Sequence, residues 1–205
     1  MASSLDSPFP LIQTDRPILR VFDPSRPSDY EAVLSIYDCP YALRTIGNPG
    51  LYTRHGADTR CAKFHPRPPN FPTSKPFPSH PWHLIYLRSN PSVLVGTTSL
   101  FHRHPLPSPD LGYFIHEEFT NQGYATEAGK AALKWWTEEM GVKDIWAGTF
   151  DTNYVSQRVA RKIGFVDGGV IRLVMSDELT REGRAFVPEG METMLDGLTI
   201  DVRQK

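Results

Sequence analysis

Proline placement constrains this chain more than any other feature of its sequence. Eighteen of its 19 prolines fall before residue 110, and only Pro188 follows. Proline lacks an amide donor and fixes φ, so it interrupts helix interiors and central strands alike. The regular, ladder-dependent elements are therefore expected to concentrate after Pro109. Seven of the seventeen positions at 65–81 are proline, which predicts an extended surface loop. Loops of that length act as spacers or as walls of a binding cleft, and the sequence leaves both readings open.

At 205 residues the chain can fill one core, so a flexible segment at 1–11 and a single domain over 12–205 are expected. With 40% hydrophobic and 22% charged residues, disorder throughout is excluded. The net charge of -1 gives no footprint for nucleic acid or anionic lipid. The opening MASSLDSPFP has neither a basic start nor a long apolar run, and no stretch approaches the ~18 apolar residues of a membrane span. A cytoplasmic protein without nucleic-acid or membrane partners is the expectation. Cys39 and Cys61 make no disulfide framework, no Cys/His spacing suits zinc, and no metal is expected.

Residue patterns predict alternating strands and helices. Residues 16–22 and 82–87 read as strands, and 93–101 pairs with the latter through the turn Arg88-Ser-Asn-Pro91. Ser28-Asp-Tyr-Glu31 offers a capping box ahead of a short helix at 32–37. A strand at 111–116 precedes a helix at 124–140, where small and aromatic residues recur at three- and four-residue steps until Gly141. A strand at 144–150 and a helix at 153–163, closed by Gly164, come next. Final strands are expected at 170–175 and roughly 192–202. Neither a repeat nor a linker is evident.

The chemistry gathers in Glu117-Glu-Phe-Thr-Asn-Gln-Gly-Tyr-Ala-Thr126, between a strand and a helix. A glycine turn at a helix start exposes unpaired amides at the positive end of the helix dipole, a cradle for phosphate or pyrophosphate. One Gly-x-Ala is a weak signal alone, since such turns also serve close packing. No Gly-Lys-Ser/Thr or Gly-x-Gly-x-x-Gly accompanies it, which disfavours nucleoside triphosphatase and dinucleotide folds.

Three pieces stand in order: Asp110-Leu-Gly-Tyr113, Asn121-Gln-Gly-Tyr-Ala-Thr-Glu-Ala128, and Asn153-x-x-Ser156 with Lys162-Ile-Gly-Phe165. Together they resemble the acyl-CoA-dependent N-acyltransferase (GNAT) superfamily. The resemblance is closest to the ribosomal-protein alanine N-acetyltransferase branch, whose opening strand Thr14-Asp-Arg-Pro-Ile-Leu-Arg20 also matches. It covers about residues 12–37 and 93–166 and leaves 38–81 unmatched. It implies an α/β (α+β) fold: a mixed, mostly antiparallel sheet of six to seven strands flanked by about four helices and splayed where the cofactor enters. The implied reaction moves an acetyl or other acyl group from acetyl-CoA directly to a primary amine of a small molecule or a peptide N-terminus. A homodimer stays open.

The resemblance also implies roles. The amides of Gln122, Gly123, Tyr124, Ala125 and Thr126 would bind the pyrophosphate, although Thr120 stands where the superfamily usually has Gln or Arg. Asn153 matches the asparagine that holds the pantetheine arm, and Ser156 matches a serine of the branch. Helix capping explains Asn and Ser there equally well. Ala160 occupies the place of the usual general-acid tyrosine, so the acid must come from elsewhere. Asp110 stands where the branch has a glutamate and is a candidate base, with His116 and Glu117 as alternatives. A backbone N–H at Ile115 would polarise the thioester carbonyl. A degenerate acyl-CoA-binding module, and an interaction protein using the proline-rich loop as a polyproline II ligand, are the competing classes.

Overall fold

The computed structural model describes residues 9–47, 51–103, 106–175 and 177–202. Its elements run β1 (Ile12–Gln13), β2 (Pro17–Val21), α1 (Pro27–Tyr37), α2 (Pro40–Ile46), α3 (Arg54–Lys63), β3 (Trp82–Leu87), β4 (Leu94–Phe101) and β5 (Asp110–Ile115). They continue with α4 (Tyr124–Lys134), β6 (Ala147–Phe150), α5 (Tyr154–Ile163), β7 (Val166–Val174), β8 (Thr180–Val187) and β9 (Thr199–Asp201). Strands β1 to β5 form an antiparallel sheet in sequence order. A second sheet has the order β6-β8-β7-β9, parallel only between β7 and β9. The mixed, mostly antiparallel fold expected from the sequence is present.

Both faces of the first sheet are covered. On one, Leu19, Ile85, Leu100, Leu111 and Ile115 meet Ala128, Ala132 and Trp136 of the α4 segment and Ala160 and Ile163 of α5. On the other, Leu84, Phe101 and Phe114 meet Val33 and Ile36 of α1, Ala42 of α2, and Ala57 and Cys61 of α3. Period-two alternation therefore sends Leu111, Tyr113 and Ile115 toward α4 and α5, and Asp110, Gly112 and Phe114 toward α1 to α3. A bidentate pair fastens β2 to α1: Arg20 reaches Asp29 at 2.6 and 2.7 Å, both side chains 1% exposed. Burial of these charges is tolerated because each satisfies the other.

Several sequence expectations need correction. The capping box is absent: α1 begins at Pro27 with Arg26 as N-cap and no side-chain cap. Asp29 turns instead to Arg20 and to the amide of Asp23. The α4 pattern holds to Lys134 and then loosens into a π turn at Trp135–Glu139, and Gly141 follows at φ 63°. The unread segment contains α2 and α3, capped by the Cys39 sulfur on the Ala42 amide and by the Thr53 hydroxyl on the Gly56 amide. Only Thr199–Asp201 of the expected strand at 192–202 is a strand, while β8 was not foreseen. Its first residues, Thr180-Arg-Glu, are exposed, so it lacks the apolar alternation that marks a half-buried strand.

The proline-rich stretch 65–81 is an extended loop without helix or strand. Phe71 and Phe77 pack edge to face at 4.9 Å, and Phe77 lies 5.7 Å from Trp136. With residues 138–144 it lines a depression of about 550 Å³. That is the C-terminal end of the α4 segment, away from the Gly123 turn. Of the segment 1–11, residues 1–8 lie outside the described residues, and Phe9 sits edge-on to Trp135 at 6.1 Å.

Candidate functional site

The turn into α4 has the geometry of an anion cradle. A 3₁₀ turn at Glu117–Phe119 leads through Asn121 at φ 60° to Gly123 at φ 89°, ψ -2°, the N-cap of α4. Only glycine adopts that left-handed conformation without penalty. The amides of Tyr124, Ala125 and Thr126 open the helix and have no acceptor within it. Gln122 and Gly123 are exposed, so the turn is accessible.

Arg16, from the β1–β2 connection, stiffens this turn. Its Nη1 donates to the Gln122 carbonyl at 2.7 Å, and its Nε and backbone N–H donate to the Glu127 carboxylate at 2.8 and 2.9 Å. The guanidinium stands 4.8 Å over the Tyr124 ring. Burial raises the Glu127 carboxyl, and the hydrogen bonds of Arg16 and Thr14 with the charge of Arg16 together bring it below its usual value. Arg16 had no role in the sequence reading. It lies 111 residues from Glu127, and no local pattern signals the contact.

Between the two sheets lies an open strand edge. Among the described residues, the backbone pairing between the sheets is the bridge of Asp110 with Trp146: the Leu111 N–H donates to the Trp146 carbonyl at 2.7 Å, and the Trp146 N–H to that of Pro109 at 3.1 Å. Beyond that point β6 pairs with β8, not with β5. Residues 110, 112 and 114 turn their backbone groups toward β4, as the ladder and the His116 N–H bond to Val95 require. The amide groups of Tyr113 and Ile115 consequently face the gap, on the edge that Leu111 begins. Such an edge takes up an extended, amide-bearing chain by strand addition. Four strand steps, roughly 13 Å, separate Leu111 from Ile115, comparable to the reach of a pantetheine arm with its two amides.

The side chains divide between the two faces. On the α5 face the Tyr113 hydroxyl donates to the Ser156 carbonyl at 2.8 Å and accepts from Ser156 Oγ at 3.1 Å. Burial, the largest influence, pushes the Tyr113 phenol up to about 12. The sequence motif contained Tyr113 without giving it a role. Its place two residues before Ile115 was the available signal, since alternation puts both on the face that receives α5. Asn153 caps α5 by accepting the Ser156 amide at 3.1 Å. On the opposite face Asp110, 9% exposed, ion-pairs with Arg103.

The alternative bases stand at the far end of β5. Burial holds the partly buried His116 imidazole below its usual value. Glu117 is exposed and pairs with Arg44 at 3.2 Å. Among the described residues no group of His, Cys, Asp and Glu is arranged to hold a metal, and no helix is long and apolar enough to cross a membrane.

Residues 18–166 match the family model described as Acetyltransferase (GNAT) domain. A curated relative, "Probable N-acetyltransferase YjcK" of Bacillus subtilis strain 168, is 31% identical over 93 residues, 44% of this chain and 51% of the relative. The match thus spans about half the length of that relative. Among solved structures, a GNAT-family acetyltransferase from Bacillus anthracis superposes with a TM-score of 0.63 at 20% identity, covering 86% of this chain and 96% of that one. An acetyltransferase from Agrobacterium tumefaciens strain C58 gives 0.62 at 20% identity over 91% and 98%. RimL, a ribosomal L7/L12 alpha-N-protein acetyltransferase solved with coenzyme A, gives 0.56 at 15% identity over 91% and 99%. These likenesses show a shared fold, and the family match across 18–166 establishes that the chain belongs to the GNAT acetyltransferase family.

Proposed function

We propose that this protein transfers an acetyl or other acyl group from acyl-CoA to a primary amine, in a ternary complex without a covalent enzyme intermediate. The observation that carries this reading is the continuity of the cradle at Gly123 with the open edge of Tyr113 and Ile115. One site suits a pyrophosphate and the other an amide-bearing arm, and they adjoin. The thioester supplies an activated acyl group; everything else falls to the chain.

The amides of Gln122, Gly123, Tyr124, Ala125 and Thr126 hold the pyrophosphate. Arg16 keeps the turn in shape, a positioning role that offsets the missing side chain at Thr120. Asn153 fixes the start of α5 beside the arm. The Ile115 N–H, aimed into the gap beside the cradle, binds the start of the arm, and the Tyr113 N–H on the same edge, nearer Asp110, stabilises charge developing on the carbonyl oxygen.

Two proton transfers remain. An amine with a pKa of ~10 must lose a proton before it attacks. Asp110 lies at the closed end of the gap, where β5 and β6 meet, and is the assigned acceptor. Asp110 attracts the ammonium and relays its proton to water. As the thiolate departs, the Ser156 hydroxyl turns from the Tyr113 oxygen and donates to the sulfur, while Tyr113, still protonated at neutral pH, keeps its own bond to the Ser156 carbonyl.

Thiol release from acetyl-CoA across a panel of amines and short peptides tests the reading. Release with at least one acceptor is expected, and Asp110→Asn lowers turnover ~10²-fold near neutral pH with partial recovery at high pH. Tight CoA binding with no release from any acceptor would favour the degenerate binding module. A wild-type pH profile in Asp110→Asn would transfer the base role to His116, Glu117 or an ordered water chain.

A further inference from the structure

The face of β4 and β5 covered by α1 and α3 holds more positive charge than its own residues balance. Arg103 is paired with Asp110. Arg60, from α3, stands 4.9 Å over the Phe101 ring and 5.7 Å over Phe64, and Arg103 stands 5.8 Å over that same Phe64. Two guanidinium groups therefore share the Phe64 ring, and only Arg103 has a carboxylate. Among the described residues no carboxylate pairs with Arg60, and its Nε is buried without a hydrogen-bond partner. Tyr37 of α1, whose hydroxyl is 3.3 Å from Thr97 Oγ1, lies close to both arginines.

A partly buried cation without a counter-charge is costly, and an aromatic face repays only part of that. The ring also offers no acceptor to the Nε–H. Arginine's planar fork suits a carboxylate. The phosphates of the cosubstrate are not the anion in question. Their cradle adjoins Ile115, and Asp110 lies five strand steps, roughly 16 Å, back along β5.

We propose that Arg60, with Tyr37 and Arg103 beside it, receives a carboxylate of the acceptor, so that the amine acylated belongs to an amino acid or an acidic peptide. The proposal rests on the acyl-transfer reading above. An ammonium directed to Asp110 and a carboxylate directed to Arg60 give a zwitterionic acceptor one orientation. This places selectivity on α3, in the segment that neither pattern nor resemblance could read.

Matched acceptors that differ only in a carboxylate test the proposal: free amino acids against their amides, and acidic peptides against their amidated forms. The wild-type protein should favour the carboxylates at least ~10-fold in kcat/KM. Arg60→Met, which keeps the linear stem and removes the charge, should erase that preference through the acceptor KM and leave the acetyl-CoA KM unchanged. Arg60→Lys should restore part of it. The arm that responds, amino acid or peptide, identifies the source of the carboxylate. Equal use of both members of each pair by the wild type, or a preference that survives Arg60→Met, overturns the assignment. Calorimetry with CoA present, using N-acetylglutamate and its diamide, judges it without turnover. Tighter binding of the carboxylate form, lost in Arg60→Met, supports the site even where no amine releases thiol; equal binding of the two forms refutes it.

Discussion

Replacing Gly123 separates backbone strain from ligand exclusion, because the fold contains its own control. Gly123 sits at φ 89°, and a Cβ there would lie 3.1 Å from Arg16 Nη2. Gly141 sits at φ 63°, and a Cβ there would meet nothing within 4 Å. An alanine at either position carries the left-handed penalty, about 1–2 kcal/mol of stability. Only at Gly123 must a neighbour retreat, and that neighbour bonds the Gln122 carbonyl at 2.7 Å. Gly123→Val adds bulk where the pyrophosphate approaches the backbone. Its CoA affinity should fall by ~1–3 kcal/mol, a 5- to 150-fold rise in Kd. Gly141→Ala should lose similar stability with Kd unchanged. Urea unfolding measures the first quantity and calorimetry with CoA the second. A folded Gly123→Val protein with wild-type Kd would refute the cradle, and a weakened Kd in Gly141→Ala would show that general loosening, not exclusion, governs binding.

Two further outcomes follow from buried polar groups. His83 is 0% exposed, has Thr98 Oγ1 at 3.1 Å, and lies edge-on to Trp135 at 4.9 Å; burial holds its imidazole down to about 3. The unfolded chain protonates it near pH 6.5, so its contribution is complete above that pH and drains away toward pH 3 at up to ~1.4 kcal/mol per pH unit. Stability should therefore drop by about 2 kcal/mol between pH 6.5 and 5 from this residue, and His83→Leu should flatten the urea midpoint over that range; an unchanged pH dependence would contradict it. Ser156→Ala should lower kcat ~10- to 100-fold with little change in acetyl-CoA KM. Tyr113→Phe should produce part of that loss, and the double variant no more than the larger single, whereas additive losses would separate the two hydroxyls.

The readable parts of this chain are those where chemistry follows from contiguous sequence. The proposed cradle is legible because the groups it offers are backbone amides, whose directions follow from a glycine turn and a helix start. Helices α4 and α5 are legible because glycines at φ 63° and 125° terminate amphipathic runs. The unread parts depend on distant partners. Strand β8 is ordered by β6 on one side and β7 on the other, so its charged beginning carries no local mark of a central strand. Tyr113 acquires meaning only when α5 brings Ser156 across 43 residues of chain. Asp110 looks like the end of a proline loop until the β4–β5 ladder sets it opposite Phe101 and Arg103 closes on it. Arg60 is the extreme case: its helix is polar in pattern, and its surplus charge emerges only once α3 lies on β4 beside a second arginine. Recognition of the cosubstrate, as proposed, thus rests on backbone geometry that a short sequence dictates. On the proposed assignment, choice of the acceptor would rest on side-chain charges that tertiary packing alone assembles, so chains that share the Gly123 turn would differ in acceptor wherever the residues facing Asp110 differ.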